Sequence, residues 1–430
     1  MKETALKWIK RSGLEPLRGR GIRSTLGAQI ILLLLGACTG VISARLLGPQ
    51  GRGELAALIL WPSALVMLAS LGINQAIVFY AGKQRYRISE VWAASTLIGF
   101  GQSFFVVLVG LLVVPLALQG YSPGVGHLAL VFLFSTPFLM MSGYAGNLLQ
   151  GRLDLISFNV IRTIAPLVYA LGLAVLMLMR RGDLRDVVAF QILGYVLAVV
   201  GGYRILTNKE ELRLSVNKGA LKSLLSYGWK TQLATVTSYI NQRVDQLLLS
   251  LLVPPPELGL YVVAVTVSSM LGFFPQAIAI VTLAAGSNLP REGATTVIAS
   301  SFRTSLIWLV VGSSALFLVA PRLITLVFGP RFGGSALACR ILLPGGVALG
   351  LNQVLYEGAR SLNEPGLPSY AEGLAAVLTC VGLYVLLPRL GFLGAAVAST
   401  LAYTTSLSFM LVLYRVRLRF PLYELLRVGH

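Results

Sequence analysis

Apolar stretches long enough to cross a bilayer follow one another along this chain with almost nothing between them. A crossing helix needs about 20 mostly apolar residues to traverse about 30 Å of hydrocarbon. Stretches of that kind occupy residues 26–47, 54–81, 91–118, 126–149, 156–179, 186–206, 224–252, 258–286, 297–319, 333–358, 367–387 and 391–414. The longest polar connection, 207–222, leaves no room for a soluble domain. Charged residues are only 12% of the 430 positions, against about 25% in soluble domains. The chain therefore reads as an all-α integral membrane protein with twelve transmembrane helices.

The chain also repeats itself. Two halves, offset by roughly 205 positions, carry matching landmarks in the same order. Asn74-Gln75-Ala76-Ile77 is echoed by Pro275-Gln276-Ala277-Ile278, and Pro137 by Pro344. Gly151-Arg152 is echoed by Ala359-Arg360, and Tyr203-Arg204 by Tyr414-Arg415. Duplicated bundles are a common build of transporters, with the substrate site between the repeats. The expected organisation is a basic N-terminal segment 1–23, an N-lobe 24–206, a linker 207–222, a C-lobe 223–415 and a basic tail 416–430. Each lobe would hold six helices, related by pseudo-symmetry.

The formal net charge of +19 is not a nucleic-acid signal, because the basic residues concentrate in alternate loops. With the N-terminus cytoplasmic, the inside segments hold about 22 Lys and Arg and the outside loops about eight. That asymmetry places both termini inside. One loop disagrees: Arg180, Arg181 and Arg185 fall outside, partly offset by Asp183 and Asp186. The segment Trp8-Ile9-Lys10-Arg11 reads equally as an interfacial basic helix or as a disordered tail.

Several chemistries are excluded. The histidines are His127 and His430, too few for a His-built metal site. Cys38, Cys339 and Cys380 sit in apolar stretches and read as small hydrophobes rather than a disulfide frame. Leu35-Gly36-Ala37-Cys38 resembles a lipoprotein cleavage box, but the apolar run continues past the cysteine, as a first membrane helix does. No phosphate-binding Gly-rich loop or nucleophile elbow is present, so the chain is read as a non-enzyme without cofactors.

Charges inside the apolar stretches carry the functional signal, since each costs a few kcal/mol near the bilayer centre. Arg162, Lys230 and Arg303 lie one or two turns in from the cytoplasmic side, and Arg243 and Arg340 in the outer half. Guanidinium forks match phosphate oxygens two at a time, so these residues suit an anionic headgroup. Long basic side chains near helix ends also snorkel to the interface with no further role. The carboxylates are fewer: Asp245, Glu357 and Glu372.

The stretch 224–252 is the most polar. Gln232, Thr235, Tyr239, Gln242 and Gln246 recur at spacings of three and four, which makes one helical stripe. Such a face is expected against protein or water. Arg243 and Asp245, two apart, point to different sides and need different partners. Small polar residues also serve ordinary helix packing. Pro62, Pro137, Pro166, Pro275 and Pro344 are expected to kink their helices.

The corner Ala44-Arg45-Leu46-Leu47-Gly48-Pro49-Gln50-Gly51-Arg52-Gly53-Glu54 resembles that of Wzx-type polysaccharide flippases, in the multidrug/oligosaccharidyl-lipid/polysaccharide exporter superfamily. Asn241-Gln242-Arg243-Val244-Asp245, followed by Gly259-Leu260-Tyr261, resembles the same family's seventh-helix signature. The resemblance covers about residues 24 to 415. Arg52 departs from it, standing where an apolar aromatic residue is common.

The resemblance implies a twelve-helix fold of two six-helix lobes and a bacterial inner-membrane location. It implies transfer of an undecaprenyl-diphosphate-linked oligosaccharide from the inner to the outer leaflet by alternating access. A polysaccharide polymerase and a chain-length regulator are implied partners. It also implies basic side chains around the diphosphate, for which Arg162, Arg243, Arg303 and Arg340 are candidates by position. Arg45 falls on a motif position, where stabilising the corner is an equal reading. Tyr239, Gln242 and Gln246 complete the candidate substrate set, and Asp245 and Glu357 are candidates for ion coupling. The rival readings are a cation-coupled drug exporter of the same fold, a lipid II flippase, and a membrane enzyme acting on the same lipid carrier.

Overall fold

In hydrocarbon, peptide groups find partners only inside helices or closed barrels. The computed structural model describes residues 20–209, 217–287 and 289–425. The expectations for residues 1–19, 210–216 and 426–430 lie outside them. Among the described residues the order is α1 (Arg20–Ala69), α2 (Ile73–Lys83), α3 (Ile88–Ala117), α4 (Pro123–Leu133), α5 (Thr136–Gly151), α6 (Leu155–Leu178) and α7 (Leu184–Lys209). There follow α8 (Lys218–Leu252), α9 (Pro255–Ser269), α10 (Phe273–Gly286), α11 (Arg291–Phe328), α12 (Ser335–Ser361), α13 (Gly366–Leu390) and α14 (Phe392–Val416).

Ten helical stretches among the described residues are long and apolar enough to cross a membrane, against twelve expected from the sequence. The difference has two physical sources. Gly27–Ala69 counts once, yet α1 would be about 75 Å long if straight, more than twice the hydrocarbon depth. It is not straight: Gly48 takes φ 66°, ψ −177°, a conformation open to glycine, and Pro49 follows. The 35-residue α8 is not among the ten, because the polar residues of its stripe dilute its apolarity.

The chain packs as two units. The first comprises residues up to Leu47 and Leu58–Val236; the second comprises Gly48–Ala57 and residues from Thr237 onward. The repeat divides the chain at 207–222, whereas side-chain packing divides it inside α8. The reason is that Ala220 and Leu224, in the first turns of α8, are buried in the core of the first unit with Ile73, Ile77, Val91, Tyr144, Leu148 and Ile161. The second core joins Ile298, Phe302, Leu351, Val354, Leu355, Met410 and Tyr414. Large apolar side chains such as Phe104, Leu112, Leu178, Leu318 and Leu326 stand exposed. Exposure of so much apolar surface suits a lipid environment rather than water.

The two motifs that carry the family resemblance meet within the second unit. A Cβ added to Gly53 would lie 1.7 Å from the Pro255 carbonyl oxygen, and one added to Gly259 would lie 2.1 Å from that of Pro49. Only hydrogen side chains allow this approach of the α1 corner to α9, as small residues do at membrane helix contacts.

Candidate functional site

The apolar stretch 54–81 is broken where no proline announces it. α1 ends at Ala69, Leu71 and Gly72 take positive φ, and α2 begins at Ile73. A break in hydrocarbon leaves carbonyls without helical partners. Gln232 of α8 donates through Nε2 to the Met67 and Leu68 carbonyls at 3.0 and 3.2 Å. Its Oε1 accepts from the Ser70 hydroxyl at 3.3 Å. Gln102 of α3 donates to the Ser70 carbonyl at 3.0 Å and accepts from the Tyr144 hydroxyl. The N-terminal end of the polar stripe therefore faces protein, and Gln232 is buried. The side chain of Thr235 lies outside the described structure.

In the same unit, Arg162 of α6 is half-buried and donates to Gln29 Oε1 at 2.6 Å. Its guanidinium carbon lies 5.3 Å from the Phe158 ring centroid. One turn earlier Asn159 donates to the Ser24 and Thr25 hydroxyls at 3.2 and 3.1 Å. This places a charged fork among hydroxyl and amide groups of α1, with part of its surface open. Arg45 is exposed, just before the Gly48 kink.

At the start of α6, Asp154 caps the helix by accepting from the Ser157 amide at 3.3 Å. It pairs with Lys209 at 2.5 Å. Partial burial disfavours its charge, but hydrogen bonds from Lys209 and Ser157 outweigh this and hold the carboxyl below its ordinary value.

In the second unit, the latter half of α8 carries the family-signature polar residues. Asp245 is buried; its Oδ2 accepts from the Tyr261 hydroxyl of α9 at 2.5 Å and from Ser399 of α14 at 3.5 Å. Its Oδ1 accepts from the Gln246 amide at 2.7 Å. One turn earlier, Asn241 donates to the Glu372 carbonyl at 2.9 Å, and its own carbonyl accepts from Tyr403 at 3.0 Å. The Asn241 side-chain oxygen is buried without a partner among the described residues. Arg243 and Gln242 are exposed, Tyr239 is half-buried and Gln246 is buried. Arg243 donates to Gln246 at 3.3 Å. Both residues touch Gln246, Arg243 at its side-chain oxygen and Asp245 at its backbone N–H, while Tyr261 and Ser399 bond Asp245 from the neighbouring helices.

The remaining candidates of this unit are not tied to that cluster. Arg340 donates to the Phe317 carbonyl at 2.9 Å, with its guanidinium carbon 4.8 Å from the Phe317 ring centroid. That contact accounts for it as a bracket between α12 and α11. Arg303 is half-buried on α11. Glu357 pairs with Arg360 at 2.5 Å along α12, and its Oε2 is buried without a partner among the described residues.

Three residues of the Asp245 cluster were missed as site residues in the sequence. Tyr261 belongs to the quoted signature, which was its signal. Ser399 and Tyr403 lie one turn apart, a spacing that carries no message until α14 is known to pack beside α8. Among the described residues no group of three His, Cys, Asp or Glu comes together as a metal site.

Long apolar helices in two packed units mark a multi-pass membrane protein, and solved transporters share its fold. The lipid II flippase MurJ, in an inward closed conformation, superposes with TM-score 0.78 at 15% identity, covering 94% of this chain and 89% of that one. An inward-facing multidrug resistance MATE transporter gives TM-score 0.76 at 14% identity, covering 90% and 94%. The family model described as polysaccharide biosynthesis protein matches residues 19–285, and the chain belongs to that family. A probable low-salt glycan biosynthesis flippase, Agl15 of Haloferax volcanii, is 22% identical over 311 residues, 70% of this chain and 63% of that protein. The match thus spans less than two thirds of that relative's length. An uncharacterized membrane protein of Methanocaldococcus jannaschii is 20% identical over 369 residues.

Proposed function

We propose that the protein is a flippase for a polyprenyl-linked oligosaccharide, with undecaprenyl diphosphate as the carrier, acting in a bacterial inner membrane. It would have twelve membrane helices in two six-helix lobes with both termini cytoplasmic, and would work by alternating access. One observation carries the reading: Arg162 and Arg243 stand partly open on their helices, while Asp245 is buried and hydrogen-bonded and Glu357 is ion-paired. Arg162 and Arg243 keep surface free beyond their amide contacts, whereas Asp245 is closed in by Tyr261 and Ser399, and Glu357 is paired with Arg360. Such a balance favours an anionic cargo over the cationic drugs that the exporter rival would carry. Membership of the polysaccharide biosynthesis family supports the oligosaccharide as cargo.

In this reading Arg162 and Arg243 neutralise the diphosphate, with Arg303, Arg340 and Arg45 as lesser candidates. Tyr239, Gln242 and Gln246 contact sugar or phosphate oxygens. Asp245 and Glu357 are the groups through which an ion or the membrane potential would reset the protein.

The test is reconstitution in liposomes with three cargoes supplied separately: an undecaprenyl-diphosphate oligosaccharide, lipid II and a cationic dye. Leaflet transfer of the oligosaccharide carrier in preference to the other two is expected. Transfer of lipid II alone, or efflux of the dye alone, would sink the proposal.

A further inference from the structure

One exposed face of α8 has no part in the transport proposal. Lys218, Lys222, Leu225, Trp229 and Lys230 line a groove of roughly 560 Å³. The opposite face of these turns is fixed to the first unit. The Tyr86 and Ser223 hydroxyls lie 2.9 Å apart, Asn217 donates to Glu90 at 2.9 Å, and Tyr227 stacks on Phe79 with centroids 4.4 Å apart. The groove is therefore built on a held helix.

Its chemistry is two-sided. Trp229 is 70% exposed and Leu225 39%, an indole and an alkyl surface of the kind that settles at the headgroup level of a bilayer. The lysines beside them bring three ammonium groups on flexible stems, which reach phosphate from apolar surroundings. Exposed Lys83, Arg85 and Arg87 add charge in the loop that Tyr86 ties to α8. The nearby carboxylate, Glu90, is already engaged by Asn217 and by the Arg87 amide.

We infer that this groove docks an anionic phospholipid, with its phosphate among Lys218, Lys222 and Lys230 and its upper acyl carbons against Trp229 and Leu225. The occupant is a resident membrane lipid rather than the transported carrier, so the inference stands apart from the transport reading.

The full chain would be placed in phosphatidylcholine vesicles with and without brominated phosphatidylglycerol. Quenching of Trp229 is read as the difference between the native chain and Trp229→Phe. Brominated phosphatidylglycerol is expected to quench more strongly than brominated phosphatidylcholine. Replacing Lys218, Lys222 and Lys230 by Gln should weaken the preference by about fivefold for each lysine lost. The same number of exposed cations removed elsewhere, by Arg181→Gln, Arg185→Gln and Arg389→Gln, should leave it unchanged. Equal quenching by the two lipids, or a preference that survives the lysine replacements, would overturn the inference. So would displacement of phosphatidylglycerol by inorganic phosphate, which marks a free-anion site. Displacement by undecaprenyl diphosphate would also overturn it, by making the groove part of the cargo path.

Discussion

Two residues apart on α8, Arg243 stands exposed and Asp245 is buried. Their spacing sends them to opposite sides of the helix, and the hydrogen bonds differ accordingly. The hydrogen bond lost with Arg243 is the one to Gln246, and Asp245 keeps its bonds from Tyr261 and Ser399. Arg243→Ala should therefore insert and fold normally while transport of a diphosphate-linked cargo falls about tenfold to a hundredfold, the loss of a charge-assisted contact. Native export rates in the reconstituted variant would remove Arg243 from the cargo site. Asp154 supports a different kind of prediction. Its carboxyl titrates below the ordinary aspartate value of about 3.9 because of Lys209 and Ser157. A depressed folded value means that the unfolded chain takes up the proton first. The stabilisation is present above about pH 4 and is lost as pH falls through the folded value. In unfolding temperatures measured from neutral to acid pH, Asp154→Asn should lower the neutral value. It should also flatten the acid decline. A parallel decline in both proteins would show that the Lys209 pair contributes nothing.

At the scale of elements, the helices were legible, and their breaks were legible only where a proline marks them. Bilayer thickness sets helix length, so apolar run length alone locates them. The α1 corner at Gly48-Pro49 was also visible, because glycine and proline each restrict what the backbone can do there. The break at Ser70–Gly72 has no proline, and its partner Gln232 lies far along the chain. Spacing placed Gln232 on a polar stripe, but a spacing cannot say whether a polar face meets water or a carbonyl. Gln232→Leu should leave the Met67 and Leu68 carbonyls unmet and cost about 1–3 kcal/mol, read as a lower unfolding temperature in detergent. An unchanged temperature would mean that water satisfies the break. The glycine contact makes a sharper demand. Pro255 presents backbone to Gly53, and backbone cannot step aside as a side-chain tip can. Gly53→Ala should therefore reduce folded yield more than Gly27→Ala, where a Cβ meets nothing within 4 Å. Equal yields would show that the α1 corner has slack.

At the scale of the whole molecule, the net charge of +19 is a statement about sidedness. Basic residues resist passage across the membrane during insertion, so their loops mark the cytoplasmic side. The loop before α3 carries exposed Lys83, Arg85 and Arg87, while the turn between α3 and α4 around Gly120 carries none. The turn between α6 and α7 breaks the pattern with Arg180, Arg181 and Arg185, although Asp183 accepts from the Arg185 amide at 2.9 Å and stands among them. If the helices between these loops each cross once, alternation places the loop at 83–87 inside and those at 120 and 180–185 outside, whatever the local charge. Single cysteines at Gln84, Gly120 and Arg181, each exposed, would be introduced into a chain with Cys38, Cys339 and Cys380 replaced by serine. They would then be labelled in intact cells with a reagent that cannot cross the membrane. Gln84→Cys should stay unlabelled until the cells are opened, whereas Gly120→Cys and Arg181→Cys should label at once. Labelling of Gln84→Cys together with protection of Arg181→Cys would invert the topology. Protection of Arg181→Cys alone would mean that the arginines hold their loop inside, and the twelve-helix count would fail in the first half.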